Sequence, residues 1–250
     1  MEFYLRLLLY IFFGIAPSLA WLFYYLSKDL HPEPKKIILK VFLLGAAATI
    51  PTFFVQVGLS QLLNQLKLLG LFEGHPIIGD IIKWFFVIAL TEELLKYVIA
   101  RIGVLKSSQV DEPLDIMLYM VVAALGFAAM ENIFYLFSPI DNLSFQAIIQ
   151  TTLVISFIRF IGATFLHTLC SALLGYFIVL GTLRSSRKKS FLLIYGLFLA
   201  TLLHGLYDFS IITLHPPLNF LIPMGIIIAL AIFVFYDFDE IKKMKSICKL

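Results

Sequence analysis

The sequence predicts an all-α protein, a polytopic transmembrane helical bundle of about seven spans, on three observations. The first is composition: 61% of the 250 residues are hydrophobic and only 14% charged, with a mean hydropathy of +0.97. Globular chains carry roughly 25% charged residues, so there is too little charge here to coat a water-exposed surface. The second is that the apolar residues fall into runs near the ~20 residues that a helix needs to cross a bilayer. The third is that the charges gather between those runs. Together they exclude a cytosolic enzyme with one core, a disordered chain and a disulfide-stapled secreted domain. With 19 basic and 16 acidic residues the net charge is +3, too small to point to nucleic acid. The lipid bilayer is the expected partner.

Taken in order, the runs are 3–26, 37–62, 78–104, 114–137, 147–182, 190–213 and 218–236. In the first, hydrophobicity continues past the conceivable cleavage site Ser18-Leu19-Ala20 through Trp21 to Leu26, so it is read as a retained span rather than a signal peptide. The fifth is too long for one crossing. Arg159 and Gly162 within it predict an interfacial or broken helix over 147–159, leading into a true span over 160–181. Between the runs, basic residues alternate. Lys28, Lys35 and Lys36, then Arg101 and Lys106, then Arg184, Arg187, Lys188 and Lys189, then Lys242, Lys243, Lys245 and Lys249 fill every second connection, while the others hold Lys67 and almost nothing else. The positive-inside rule puts those segments in the cytoplasm, the N-terminus and the loop near Asn142 outside, and the C-terminus inside. No composition shift or internal repeat divides the chain, so residues 1–250 are expected to form a single integral membrane domain. Cys170 and Cys248 show no disulfide or metal spacing and are expected to be free; Cys248 is third from the end, which excludes a prenyl box.

An ionisable residue near the centre of a span costs roughly 2.5–3.5 kcal/mol on insertion scales, so it persists with a partner, a wet cavity or a role in chemistry. Several occur here. In Thr91-Glu92-Glu93-Leu94-Leu95-Lys96 the spacing of four puts Glu92 and Lys96 on one helical face, with Glu93 about 100° away. A tolerated ion pair with Lys96 snorkelling to the cytoplasm accounts for one glutamate but not for two adjacent ones. In Gly126-Phe127-Ala128-Ala129-Met130-Glu131-Asn132 the small residues allow a close helix approach, and Asn132 is suited to holding a helix contact. His204 and Asp208 are again four apart, so the carboxylate can fix the imidazole tautomer or both can face a common ligand. His167 adds a second imidazole beside small side chains. Glu93, Glu131, His167 and His204 lie roughly 11–17 residues from the predicted cytoplasmic ends, about 16–26 Å along a helix. Four helices therefore present ionisable groups at overlapping depth, as a buried hydrophilic chamber requires.

Amide hydrolysis needs an activated water, a stabilised oxyanion and a proton for the leaving amine, and three glutamates with two histidines can supply all three directly. The same set can hold a zinc through two His and one Glu with an open position for water. No HExxH is present, and the expectation is a metal-free site without cofactor. A proton- or ion-coupled transporter also uses buried carboxylates and histidines, but such folds commonly repeat their interrupted helices in two halves, and these motifs do not repeat. A retinal protein needs a Schiff-base lysine in its last span, and 218–236 has none.

Glu92-Glu93-x-x-Lys96, Phe127-x-x-x-Glu131-Asn132, His167 and His204-x-x-x-Asp208, in that order on successive spans, resemble the PrsW family of intramembrane proteases, within the wider clan of CAAX prenyl proteases and bacterial Abi proteins. The early loop Asp29-Leu30-His31-Pro32-Glu33-Pro34 is similar as well, and the resemblance extends over about 28–210. It implies peptide-bond hydrolysis in or beside a prokaryotic cell membrane, in a single-span protein such as an anti-sigma factor. In the CAAX-protease relatives a glutamate activates water without a metal. By that resemblance Glu92 is the general base, Glu93 its neighbour, and His204 with Asp208 the group that stabilises the oxyanion; from their positions among these groups, Lys96, Asn132 and Arg159 are expected in support. Those relatives carry His where this chain has Glu131, and His167 is the side chain expected to replace the missing imidazole.

Overall fold

The computed structural model describes residues 2–29, 31–137, 145–182 and 184–244. The loop near Asn142 and the Cys248 tail lie outside them. Helix α1 covers Glu2–Leu26, α2 Lys35–Leu68, and a continuous helical stretch then runs from Pro76 to Leu105. Within that stretch, α3 (Pro76–Ile81) passes into a π-helical segment Ile82–Ala89, α4 (Leu90–Ala100) and a second π segment Arg101–Leu105. Beyond it come α5 (Pro113–Leu136), α6 (Phe145–Ile161), α7 (Ala163–Thr182), α8 (Ser186–Thr213) and α9 (Leu218–Ile241). No strand occurs among the described residues.

Among the described residues six helices are long and apolar enough to cross a membrane, with α6 and α7 together counting as one. The third expected span is helical throughout but is not among those six, since it carries Asp80, Lys83, Glu92, Glu93, Lys96 and Arg101 and passes through two π segments. The fifth breaks as expected, at Gly162 between α6 and α7. The expected ends fall short in three places. The second helix runs on to Leu68, because nothing stops it before Gly70, whose φ of 77° begins the turn. The sixth begins at Ser186, since Arg187–Lys189 are good helix formers outside the apolar run, and the seventh extends to Ile241 because Phe238 and Ile241 still pack into the core.

Helix α5 is the axis of the bundle. It is opened by Pro113 and by a capping box in which Glu112 and Asp115 exchange side-chain and backbone hydrogen bonds. Met117 through Leu125 are all fully or almost fully buried beneath α1, α2 and α7. The approach to α2 is backbone on backbone: a Cβ on Gly45 would strike the Ala123 carbonyl, and one on Gly126 the Phe42 carbonyl. The close contact expected from Gly126-Phe127-Ala128-Ala129 is thus made against α2. On the other side of the bundle α8 meets the first π segment, where a Cβ on Gly205 would lie 3.0 Å from Phe85 Cα. These two approaches carry Glu131 and His204 toward α4.

Candidate active site

The ionisable side chains of five helices meet in one network. In α4, Lys96 Nζ donates to Glu93 Oε1 at 2.8 Å and to His167 Nδ1 of α7 at 2.7 Å, and it lies 4.8 Å over the Phe127 ring. His204 Nδ1 of α8 donates to the same Glu93 oxygen at 2.8 Å. On the opposite side of His167, Nε2 faces Glu131 Oε2 of α5 at 2.6 Å. Glu131 Oε1 accepts from Arg159 Nη2 of α6 at 2.9 Å. Arg159 Nε also reaches Asn132 Oδ1 at 2.5 Å, and the Asn132 amide donates to Thr164 Oγ1 at 3.0 Å. Asp208 Oδ2 lies 3.4 Å from His204 Nε2.

Every residue expected at the site from sequence is here: Glu92, Glu93, Lys96, Glu131, Asn132, Arg159, His167, His204 and Asp208. One expectation is corrected. Lys96 pairs with Glu93, three residues back, while Glu92 Oε2 stands off at 3.7 Å. Positions three and four apart are both neighbours on a helix, and the two imidazoles on the Glu93 side decide between them. The snorkelling ion pair, set aside on the sequence, does not form, for Lys96 has no exposure at all.

Sequence reasoning missed Gln56 of α2. Its Nε2 donates to Glu92 Oε1 at 3.1 Å and approaches Thr91 Oγ1 at 3.4 Å. The signal was a carboxamide within the apolar run 37–62, overlooked because that run holds no ionisable group to draw attention to it apart from Lys40 near its start.

The network is layered. Glu93 and Lys96 are sealed off, whereas Glu131 and Asp208 keep 33% and 24% of their side-chain surface exposed. Glu92, Glu131, Arg159, His167, His204 and Asp208 line a cavity of about 350 Å³ whose remaining walls are mostly apolar, including Trp84 of the first π segment, Ile158 of α6 and Ile211 of α8. π-helical turns recur at functional sites because they re-aim side chains. This one stands immediately before the Glu92-Glu93 pair.

A family model described as "PrsW family intramembrane metalloprotease" matches residues 33–236. The chain belongs to the PrsW family of intramembrane proteases. Proteins named Protease PrsW are 31% identical to it in Oceanobacillus iheyensis, over 78% of this chain and 80% of that one, and 32% identical in Clostridioides difficile, over 78% and 76%. The Protease PrsW of Bacillus subtilis is 30% identical over 84% and 86%. No solved structure matches. Like these bacterial PrsW proteins, the chain is an integral membrane protein.

The family description raises a metal. Glu92, His167 and His204 each offer one ligand atom, all within 4.8 Å of one another. His204 suits the part in its neutral form: Glu93 holds Nδ1–H, so that Nε2 is the nitrogen that would face a cation, as in metal-bound histidines. His167 does not. An ammonium has no acceptor, so Nδ1 must accept from Lys96 and Nε2–H must donate to Glu131, which leaves neither nitrogen a lone pair for a cation. The Lys96 ammonium also stands 2.7 Å from His167 Nδ1 and 3.7 Å from Glu92 Oε2, where it repels a cation. As arranged, the set does not fit a three-ligand metal.

Proposed function

We propose that this PrsW-family protease is a glutamate-type endopeptidase in which Glu92 activates the attacking water. The observation that carries the reading is the placing of Glu92, a residue of the cavity lining, whose Oε2 accepts no hydrogen bond from a protein group among the described residues and lies 3.9 Å from His204 Nε2. Two atoms that far apart can share one water at about 2.8 Å from each. Glu92 takes a proton from that water as its oxygen bonds to the scissile carbonyl carbon. The oxyanion that forms is stabilised by His204, whose Nδ1 is held by Glu93 and whose Nε2 faces the cavity, from which an N–H can donate to the developing charge. Glu92 then gives its proton to the amide nitrogen as the C–N bond breaks. Glu131 takes the place of the imidazole found in the CAAX-type relatives, and His167, bonded to it, links it to Lys96.

The substrate in this reading is a single-span membrane protein, such as an anti-sigma factor, presented from the bilayer. The apolar cavity walls favour a segment that is itself apolar, and the charged groups at the cavity's inner end supply the chemistry. The chain is oriented with its N-terminus outside and its basic connections in the cytoplasm. An ion-coupled transporter is not favoured, since its carboxylates must load and unload, whereas Glu93 and Glu131 are each held by two cationic or imidazole partners.

The test uses purified protein in lipid nanodiscs and a fluorescence-quenched fusion with one leucine-rich span. Wild type is expected to cleave it, and Glu92→Gln to lose at least about 100-fold in kcat, in line with the worth of a general base. Full activity in Glu92→Gln would remove the glutamate from the mechanism.

A further inference from the structure

We propose that Gln56 of α2 is a positioning residue, its amide holding Oε1 of Glu92 so that Oε2 is the oxygen left to take the proton. This rests on the reading of Glu92 as general base. The amide has two N–H groups and two acceptors before it: Glu92 Oε1 at 3.1 Å and Thr91 Oγ1 at 3.4 Å. Thr91 is free to accept because its own proton is directed back at the Val87 and Ile88 carbonyls, at 2.5 and 2.8 Å. The amide cannot be reversed, since a flipped Gln56 would set its carbonyl oxygen against a carboxylate, which only accepts. Among the described residues Gln56 provides the hydrogen bond that a protein group gives to the Glu92 carboxylate. The other oxygen is left between Lys96 Nζ at 3.7 Å and His204 Nε2 at 3.9 Å.

The helix that carries Gln56 is fixed independently of the site. The contacts at Gly45 and Gly126 lock α2 to α5 with no side chain between the backbones, and Gln56 follows Gly45 by 11 residues, about 16 Å along the same rod. A carboxylate with two equivalent oxygens can rotate about its last torsion, so a pinned Oε1 is what gives Oε2 a single direction. Loss of the amide leaves chemistry and binding groups in place and spoils only that aim.

The test compares wild type, Gln56→Met, Glu92→Gln and the double variant on the quenched single-span fusion. Methionine keeps the length and loses the donor. The expected result is a kcat lowered roughly 10- to 100-fold, as for a misplaced catalytic group, with KM within about twofold and the melting temperature unchanged. In the Glu92→Gln background the second substitution should cost nothing further, because Gln56 acts through Glu92. An effect of Gln56→Met on KM alone, or an equal loss in both backgrounds, would overturn the proposal. The infrared carboxylate stretch of Glu92, assigned by its loss in Glu92→Gln, should also shift in Gln56→Met. That reading needs no substrate. If wild type fails to cleave, the proteolytic reading falls, and an unshifted band separately refutes the contact.

Discussion

Lys96 is the residue on which the buried network depends. Its ammonium lies in a fully enclosed position, between Glu93 at 2.8 Å and His167 at 2.7 Å, where an unpaired charge is costly. Lys96→Met leaves Glu93 with a single partner and frees His167 Nδ1. Removing one member of a buried pair typically costs about 3–5 kcal/mol, so thermal melting in detergent should show a large loss of stability with Lys96→Met and little change with Glu92→Gln. Equal destabilisation by both would make Glu92 a structural group. At this scale the sequence was highly legible for residue types and poorly legible for partners. Ionisable groups in apolar runs are conspicuous whatever they touch. Which glutamate takes the lysine is decided by His167 and His204, 71 and 108 positions away from Lys96, and no local spacing contains that information.

Between elements, the site is assembled by close backbone approaches. The π segment Ile82–Ala89 presents Phe85 to Gly205 on α8, directly beside His204. Gly205→Val must push α8 outward and carry His204 away from Glu93. Overpacking of this kind costs about 1–3 kcal/mol, and the loss of activity should exceed the loss of stability. Melting and cleavage measured on one preparation check it; unchanged turnover would mean that the 2.8 Å contact between His204 and Glu93 tolerates movement of α8. Helix existence was readable from apolar runs, and so was the break at Gly162. The π segments were not, because their register slips are set by tertiary contacts and leave no mark in a run such as Ile-Lys-Trp-Phe-Phe-Val-Ile-Ala. Helix ends were misplaced wherever polar residues continued a helix beyond its apolar part, as in α2 and α8.

For the whole molecule, orientation and the coupling between loops give two further predictions. The proposed orientation, with the basic connections in the cytoplasm, predicts that a cysteine at position 187 is protected from an impermeant reagent in intact cells; labelling would invert the topology. On the side bearing the early loop, the Tyr119 hydroxyl of α5 donates to Glu33, tying that loop to the central helix. Burial pushes the Glu33 carboxyl above its ordinary 4.5, with Asp29 and Asp111 adding repulsion, against the lowering effect of hydrogen bonds that include the one from Tyr119. The folded protein therefore keeps this proton at pH values where the unfolded chain has released it. Its contribution to stability is complete below 4.5 and is lost as pH rises through the folded value. Glu33→Gln should flatten that part of a melting-temperature profile, and an unchanged slope would show that the loop is not coupled to α5 through this group.

The central claim is that Glu92, unaided by a metal, activates water in this PrsW-family protease, and a chelator titration of the cleavage reaction tests it most directly. Wild-type enzyme in nanodiscs should cleave the quenched single-span fusion at an undiminished rate after exhaustive chelation, since Lys96 and Glu131 occupy both nitrogens of His167. Loss of turnover on chelation, restored by adding back zinc, would contradict the account.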